Sequence, residues 1–427
     1  MISPEAAWRQ IVATLEPLPA VAQPFDKKQP LSEALGAYLT RPVVADRDIP
    51  ATDRAAMDGY AVRSVDVASV PVALRVVGEV AAGAAQRPAL GPGECVRIMT
   101  GASVPPDADA VVRIEETEPV AGDHINDDHV DNDQDDAGHV NDGLVRILAP
   151  VRAGQDILRR AENARCGDAL LPEGARLTAQ AIAVCAAVGV VHPQVGERPR
   201  VAVITTGSEL CDPAEAVAAH QIRDANGPLV VASLIEQGFA VAPLTRVPDD
   251  RDQLLAVVGR SVAEYRVSVV SGGVSVGRYD FVPEVVRALG GTVLVHGVAM
   301  KPGKPLLCAR FDSGHLLFGL PGNPLAALTG LHEFVLPALR RLAGCPLAAC
   351  RPQVRLPLGA ALRYGGARRQ YHLARVDDGP TGLTAWALPS SGSADFVAAG
   401  QADGMIISPE GSGLLPAGAL VDIRPWR

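Results

Sequence analysis

Strands and helices alternate between residues 199 and 343, and this pattern constrains the fold more than any other feature of the sequence. Apolar runs predict strands at 200–207, 240–247, 266–270, 292–300 and 306–311. Segments with helical spacing are found at 226–239, 249–265, 283–291 and 325–344. Because such an alternation gives a sheet that is covered on both faces, the region predicts a doubly wound, mostly parallel α/β domain.

The helix predicted at 226–239 carries a signal at each end. Asn226 is expected to cap its first turn, and Gly238 is expected to close its last turn. The helix predicted at 249–265 starts with aspartates, which are favourable at the positive end of a helix.

Five stretches of small and polar residues interrupt this region, and most of them follow a predicted strand. They read TTGSEL, RVPDD, SGGVSVGRYD, KPGKP and GLPGNP. Ligands of open α/β sheets bind outside the carboxyl ends of the strands. Five glycine- or proline-containing loops at one edge therefore predict a binding site there.

Lys301 and Lys304 flank a glycine in KPGKP, where prolines stiffen the turn. Backbone N–H groups of glycine-rich loops and lysine ammonium groups together bind phosphate-type oxygens. The alternative is a solvated pair of lysines on a turn. The neighbouring loops favour an anion site.

The same edge also carries carboxylates, at Glu209, Asp249, Asp250 and Asp280. Carboxylates beside an anion repel it unless a hard cation such as Mg²⁺ lies between them. Two alternatives remain open. The pair Asp249 and Asp250 can cap the helix that follows, and Glu209 can simply orient its own turn.

The rest of the chain predicts smaller elements. Residues 1–45 read as mostly helical, and residues 46–150 and the chain from about 346 onward read as short strands and turns. Candidate residues in the second region are Asp53, Asp58 and Tyr60 in ATDRAAMDGYAV, and Thr100 and Gly101 in RIMTGASVPPDAD. Because Asp-Gly is ordinary turn chemistry, these residues alone identify no site.

Residues 121–143, AGDHINDDHVDNDQDDAGHVNDG, form an aspartate-rich insertion with almost no apolar residue. A segment of this composition cannot fold alone, and a solvated hairpin loop is the favoured interpretation. Its three histidines, His124, His129 and His139, leave a metal site as the alternative.

Composition excludes several classes of protein. A net charge of −9 argues against a nucleic-acid-binding body, and the longest uncharged apolar run, at 181–191, is too short to span a bilayer. Seven cysteines without CxxC spacing fit reduced thiols, and the N-terminus lacks the features of a signal peptide. We therefore expect a soluble cytoplasmic protein that binds neither nucleic acid nor a membrane.

Six stretches together identify a resemblance to a known family. They are PATDRAAMDGYAV, RIMTGASVP, ITTGSEL, SGGVSVGRYD, MKPGKP and GLPGNP. Their order and spacing are similar to those of the molybdopterin molybdenumtransferases, the bacterial MoeA proteins and the C-terminal domain of gephyrin. The combination of AMDGYAV, KPGKP and GLPGNP is more specific than SGGVSVG, which a related adenylyltransferase module shares.

The resemblance implies an α/β multidomain protein with four parts. These are a helical linker and dimerisation domain (1–45 plus 151–177), a small β-rich domain with the insertion (46–150), an α/β molybdopterin-binding domain (178–345) and a C-terminal β domain (346–427). The implied reaction inserts molybdate into the dithiolene of adenylylated molybdopterin, hydrolyses the adenylate and releases AMP, with Mg²⁺ as cofactor.

The resemblance also assigns roles to residues. The catalytic candidates are Asp58, Asp280, Glu209 and Asp250, and the last three are also the candidate Mg²⁺ ligands. The substrate-binding candidates are Thr100, Gly272, Gly273, Ser275, Gly277, Lys301, Lys304, Pro321, Gly322, Asn323, Arg369, Arg375 and Ser393. The chain departs from the family pattern in two places. Asn163 stands where a carboxylate is usual, and the insertion at 121–143 lengthens a loop of the second domain.

The resemblance further implies a homodimer whose active site is shared between the subunits. Transient contacts are expected with the molybdopterin adenylyltransferase and with acceptor molybdoenzymes. Two other functions remain as alternatives. One is the adenylyltransferase itself, and the other is a scaffold protein that uses the fold without catalysis.

Overall fold

The structure is a computed structural model that describes residues 1–24, 31–120, 143–275, 277, 280–380 and 382–426. The chain divides into two compact units. The first comprises Met1–Arg41, Pro172–Cys185 and Val190–Arg427, and the second comprises Pro42–Leu171 and Ala186–Gly189. The finer division into four domains stays a prediction.

A six-stranded sheet forms the centre of the first unit. Its strands are β1 (Val201–Thr206), β2 (Thr245–Val247), β3 (Val267–Ser271), β4 (Thr292–His296), β5 (Leu307–Arg310) and β6 (Leu316–Leu320). Their order across the sheet is β2-β1-β3-β6-β5-β4. The first four strands in this order pair in parallel, whereas β5 is antiparallel to both of its neighbours. The predicted mostly parallel sheet is confirmed.

Strand β2 is shorter than the run at 240–247 predicts. Val241 makes only an isolated bridge to Val201, and the regular strand starts at Thr245. Pro243 lies between them and has no N–H to donate to a ladder, which accounts for the interruption.

Helices cover both faces of the sheet. They are α1 (Asn226–Glu236), α2 (Arg251–Glu264), α3 (Val282–Ala288) and α4 (Pro324–Gly330). Alternate residues of β3 enter different cores, because Val269 packs in one buried cluster and Val270 in the other. Alternation of buried residues to two faces is the signature of a doubly wound fold.

The single long helix predicted at 325–344 has three consecutive parts. Helix α4 is followed by a π-helical segment, Leu331–Val335, and by helix α5, Leu336–Leu342. Every residue from 325 to 339 is buried, so the helix runs through the core of the first unit and not along its surface.

Glu333 lies in the π-helical segment and is fully buried. Its carboxylate pairs with Arg424 at 2.6 Å and also with Arg351, and it accepts a hydrogen bond from the Tyr371 hydroxyl at 3.3 Å. Burial acts to raise the pKa of Glu333, but the two guanidinium groups outweigh it and hold the pKa below its usual value. Glu333 therefore ties the helix to the C-terminal part of the chain as a carboxylate.

We expect Glu333→Gln to destabilise the protein by about 3–5 kcal/mol, because it leaves two largely buried guanidinium groups without a counter-charge. The midpoint of urea unfolding at neutral pH measures this, with the exposed Glu410→Gln as the matched control. A carboxylate whose pKa is lower in the folded state than in the unfolded state stabilises the protein at a pH above the unfolded-state pKa. This contribution to stability is lost as the pH falls through the folded-state pKa. The difference between wild type and variant should therefore shrink in acid. Equal midpoints at neutral pH would contradict this account.

The C-terminal part of the first unit is built from strands, as predicted. Its main sheet has the order Met300–Lys301, Arg369–Gly379, Gly404–Ile407, Leu420–Pro425 and Val354–Pro357, and Gly382–Ala387 pairs with the second of these. A separate pair joins Leu362–Tyr364 to Gly413–Leu415, and a short helix spans Phe396–Ala399. The KPGKP segment thus begins on a strand that joins this sheet.

The N-terminal segment is less helical than predicted. Helices span Pro4–Val12 and Leu31–Ala34, and short strands lie at Ala20–Ala22 and Val43–Val44. The first strand pairs with Gln194–Gly196, which follows the helix Ala179–Ala187.

The second unit contains its own six-stranded sheet. The strand order is Ala110–Arg113, Gly59–Val62, Glu94–Ile98, Val72–Val80, Leu144–Ile147 and Thr117–Pro119. Two further pairs join Ile157–Leu158 to Arg54–Ala55 and Ala169–Leu171 to Val43–Val44. A small β-rich body is therefore confirmed. The aspartate-rich insertion, apart from Gly143, lies outside the described residues, and so do its three histidines.

Within the described part of the chain, no helix combines the length and the apolar character that crossing a bilayer requires.

Candidate functional site

The five predicted loops leave the first unit's sheet at one edge. Strands β1, β2, β3 and β6 are parallel, so the segments after Thr206, Val247, Ser271 and Leu320 emerge together. The KPGKP loop lies in the connection from β4 to β5. It joins the same edge because His296 pairs with Leu307, which in turn pairs with Gly319. This is the edge at which open α/β sheets bind ligands.

The glycines of SGGVSVGRYD have structural reasons of their own. Gly272 and Gly273 have φ values of +98° and +66°, which favour glycine. A Cβ on Gly272 would lie 2.4 Å from the carbonyl oxygen of Thr206, and one on Gly277 would lie 2.7 Å from Asp280 Oδ2. Close packing of the loop against β1 therefore requires small residues even without a ligand. Val276, Arg278 and Tyr279 lie outside the described residues.

Asp280 closes this loop. Its Oδ2 accepts a hydrogen bond from the backbone N–H of Gly277 at 2.6 Å, and helix α3 starts two residues later. The side chain is half-buried, so the carboxylate combines a fixed position with access to solvent. That combination suits a carboxylate that acts on a ligand held by the loop.

The carboxylates after β1 and β2 divide between structural and accessible positions. Asp250 is the N-cap of α2 and accepts from the Gln253 N–H at 2.9 Å, as the capping alternative predicts. Asp249 instead accepts from the Thr206 hydroxyl and the Ser208 N–H, both at 3.2 Å. Glu209 is exposed at the turn after β1.

The described residues contain no group of three or more His, Cys, Asp or Glu side chains that could hold a metal ion. Mg²⁺ needs fewer protein ligands, because it binds through one or two carboxylates and takes its remaining oxygens from phosphates and water. The accessible oxygens of Glu209 and Asp280 fit that mode. The donor set is therefore compatible with magnesium bound together with a phosphate-bearing substrate.

A cavity of about 750 Å³ lies beside the GLPGNP turn. Its lining includes five residues predicted from the sequence to bind substrate, namely Lys301, Lys304, Pro321, Asn323 and Ser393. The Asn323 amide nitrogen donates to Ser393 Oγ at 2.9 Å, so the turn and the C-terminal segment are joined at the cavity wall. The described part of the glycine loop does not line this cavity. The edge therefore offers a glycine-loop subsite and a cationic cavity.

Several further polar residues that line the cavity were missed by the sequence interpretation, and three of them follow one another along the chain at intervals of two. Arg368 adds a third cation, and Gln370 and His372 follow it at intervals of two. Burial lowers the pKa of His372, and the neighbouring Lys301 lowers it further, so the imidazole is neutral at pH 7. The signal was the period of two along the strand Arg369–Gly379, which, continued to the preceding residue, places Arg368 on the same side as Gln370 and His372.

Two predicted substrate-binding residues lie apart from the cavity. Arg369 is on the other side of the strand, where it pairs with Glu5 and Glu410 and lines a second cavity of about 530 Å³. Arg375 is exposed and forms two hydrogen bonds of 2.9 Å to Asp377. Because side chains alternate along a strand, the arginine that lines the cavity is Arg368 and not the predicted Arg369.

Asp58 and Thr100 contact each other within the second unit. Asp58 Oδ1 accepts from the Thr100 backbone N–H at 2.6 Å and from its hydroxyl at 2.8 Å. These two hydrogen bonds, the backbone one first, hold the pKa of Asp58 below its usual value. The exposed pair therefore presents an ionised carboxylate in a fixed orientation.

Comparison with known proteins covers most of the chain. Residues 2–189 match the "MoeA N-terminal region (domain I and II)", residues 202–341 a "Probable molybdopterin binding domain" and residues 355–426 the "MoeA C-terminal region (domain IV)". A molybdopterin molybdenumtransferase of Staphylococcus aureus is 32% identical over 98% of this chain and 94% of its own length. The chain belongs to the MoeA family. The predicted family and the predicted enzyme class are thereby confirmed.

Other members of the family support the assignment. The molybdopterin molybdenumtransferase of Staphylococcus epidermidis is 31% identical over 92% of this chain and 89% of that protein. A crystal structure of a MoeA protein of molybdopterin biosynthesis from Pyrococcus horikosii is 28% identical, with a TM-score of 0.75 over 100% of this chain and 99% of that one. The MoeA fold predicted from the sequence is confirmed, as is a transferase of molybdenum cofactor biosynthesis.

Proposed function

We propose that this MoeA-family enzyme inserts molybdate into the dithiolene of adenylylated molybdopterin and couples insertion to hydrolysis of the adenylate. The observation that carries the proposal is the cationic cavity beside a glycine loop and carboxylates at one sheet edge. Hydrolysis adds water across the phosphoanhydride, so that AMP leaves and the pterin keeps its own phosphate. Both substrates are anionic, which matches the two kinds of subsite.

Different residues have different roles in this proposal. Lys301, Lys304 and Arg368 bind the anionic oxygens of the substrates in the cavity. The glycine loop holds the phosphates of the adenylate, and Asp280 is fixed by Gly277 next to them. His372 stays neutral beside Lys301, so it adds no further positive charge.

We propose Mg²⁺ as the cofactor, held by Asp280 and Glu209 with Asp250 as a further oxygen donor. When bound, the ion would neutralise charge on the phosphoanhydride oxygens. The capping hydrogen bond to Gln253 uses one Asp250 oxygen and leaves the other for this role. We also propose a cytoplasmic homodimer that shares its active sites between subunits and makes transient contacts with the adenylyltransferase and with acceptor molybdoenzymes.

The experiment that tests the proposed function measures AMP release from adenylylated molybdopterin with Mg²⁺, in the presence and in the absence of molybdate. Release that requires both the protein and molybdate is the expected result. AMP transfer from ATP to molybdopterin would favour the adenylyltransferase alternative, and pterin binding without turnover would favour a scaffold. Either outcome would contradict the proposal.

We expect Lys301→Ala and Lys304→Ala each to weaken binding of adenylylated molybdopterin or of molybdate by about tenfold or more, because a hydrogen bond to a charged group contributes about 1.5–3 kcal/mol. Isothermal titration calorimetry measures both affinities. Raised salt should weaken binding to the wild type in the same direction, since accessible ion contacts are screened. Arg310→Ala removes an exposed cation at the opposite end of β5 and is the matched control. Affinities that change neither with the lysine substitutions nor with salt would show that the cavity is not an anion site.

A further inference from the structure

Asn226 does not cap helix α1, although its sequence position predicts that role. It is the first residue of the helix, and the preceding N-cap, Ala225, makes no side-chain hydrogen bond. The Asn226 side chain is directed into the protein instead, and the residue is only 8% exposed. The orphan N–H of Gly227 is satisfied by Asp224 Oδ1 at 2.9 Å. Helix capping therefore does not explain an asparagine at this position.

The amide nitrogen of Asn226 joins two loops of the candidate site. Its Nδ2 donates to Gly322 O at 2.7 Å and to Ser271 Oγ at 2.9 Å. Gly322 belongs to the GLPGNP turn, and Ser271 is the residue from which the glycine loop starts. The Asn226 side chain therefore holds these two loops at a fixed separation.

The direction of these hydrogen bonds fixes which end of the amide faces the loops. A carbonyl such as Gly322 O can only accept, so the nitrogen of Asn226 must face it. The Ser271 hydroxyl accepts from the same nitrogen and lies 3.5 Å from Pro321 O, to which it donates. Both N–H groups of the amide are thereby used, and the oxygen lies at the other end.

Asn226 Oδ1 is buried and has no hydrogen-bond partner among the described residues. A buried polar atom without a partner is unfavourable by about 1–3 kcal/mol, and such atoms are rare in native proteins. This one belongs to the amide whose nitrogen bonds Gly322 and Ser271, so it lies beside the two loops, which approach each other so closely that a Cβ on Gly322 would be 4.0 Å from Gly272 Cα. A donor that completes the site would remove the penalty.

We propose that Asn226 is a substrate-positioning residue whose Oδ1 accepts a hydrogen bond from a hydroxyl, amino or ring N–H group of the bound organic substrate. A phosphate dianion cannot be the partner, because it has only acceptors. The ribose, the adenine amino group and the pterin ring all carry donors. The inference rests on the proposed function and adds which part of the substrate Asn226 holds.

The test compares Asn226→Ala with wild type in calorimetric titrations of the full-length protein with AMP, molybdopterin and pyrophosphate. We expect about a tenfold loss of affinity for AMP or for molybdopterin, whichever carries the donor. The loss for pyrophosphate should be clearly smaller, because pyrophosphate has no donor and senses only the loss of the two hydrogen bonds to the loops. Ser268→Ala is the control. Ser268 lies on β3, the strand that ends at Ser271, and the substitution removes its buried 2.9 Å hydrogen bond to Ser261. It should lower stability without changing any of the three affinities.

Two outcomes would overturn the proposal. Equal losses for all three probes would mean that Asn226 only supports the loops, and unchanged affinities would mean that it does not act on ligands. If the wild-type protein binds neither AMP nor molybdopterin, the proposed function itself fails, and this inference fails with it.

A crystal structure of the wild type with AMP or molybdopterin is an independent check that needs no variant. It should show a ligand donor within about 3.2 Å of Oδ1, and a bound ligand without that contact would contradict the assignment.

Discussion

Asp280→Asn is expected to lower molybdate-dependent AMP release at least about 100-fold while the protein stays folded, because the charge on Asp280 would be required to hold Mg²⁺ at the phosphoanhydride. An asparagine can still accept the 2.6 Å hydrogen bond from Gly277, so the loop keeps its closing contact. Asp280→Ala removes the charge and the contact together. Comparison of the two variants separates the chemistry of the carboxylate from its structural role.

The matched control is Asp312→Asn, an exposed aspartate in the turn between β5 and β6 at the opposite edge of the sheet. Its AMP release should equal that of the wild type. Near wild-type turnover of Asp280→Asn together with loss in Asp280→Ala would reduce Asp280 to a loop-closing residue. Wild-type turnover in both variants would remove it from the mechanism.

Mixing two inactive variants, Asp58→Ala and Asp280→Ala, is expected to restore activity to about a quarter of the wild-type level. In the proposed homodimer, each active site takes Asp58 from one subunit and Asp280 from the other. A mixed dimer therefore has one site with both defects and one site with neither. Random pairing makes about half of the dimers mixed, and half of their sites are intact.

The measurement is molybdate-dependent AMP release after subunit exchange, which mass spectrometry of differently tagged chains verifies. Each variant mixed with itself is the control and should stay inactive. If both carboxylates acted in one site of a single chain, every site in the mixture would carry a defect. Absence of recovery after verified exchange would therefore contradict the shared site.

The position of the candidate site followed from local patterns in the sequence. Small-residue loops after apolar runs predicted the sheet edge, because the ends of parallel strands must meet there. Gly272 is predicted to bind substrate, but a Cβ at this position would already lie 2.4 Å from the Thr206 carbonyl oxygen. The pattern therefore identifies the need for a small residue without revealing what occupies the space.

Tertiary contacts decided the features that the sequence left undetermined. Asn226 carries a capping propensity, yet the neighbouring loops offer its amide two partners in the core. Arg368 and Arg369 are adjacent and chemically identical. Which of them lines the cavity depends on which side of the strand the other segments of the cavity wall pack against. Local propensity contains neither kind of information, because both depend on segments about 50 residues or more away in sequence.

The measurement that tests the central claim most directly is the stoichiometry of a single turnover. The purified protein is mixed with adenylylated molybdopterin, Mg²⁺ and a saturating amount of molybdate. AMP is quantified by chromatography, and cofactor is quantified by activation of a cofactor-free molybdoenzyme. The account predicts one active cofactor for each AMP released, and neither product when molybdate is omitted. Release of AMP at the same rate without molybdate, or release without any active cofactor, would contradict the coupling of adenylate hydrolysis to metal insertion.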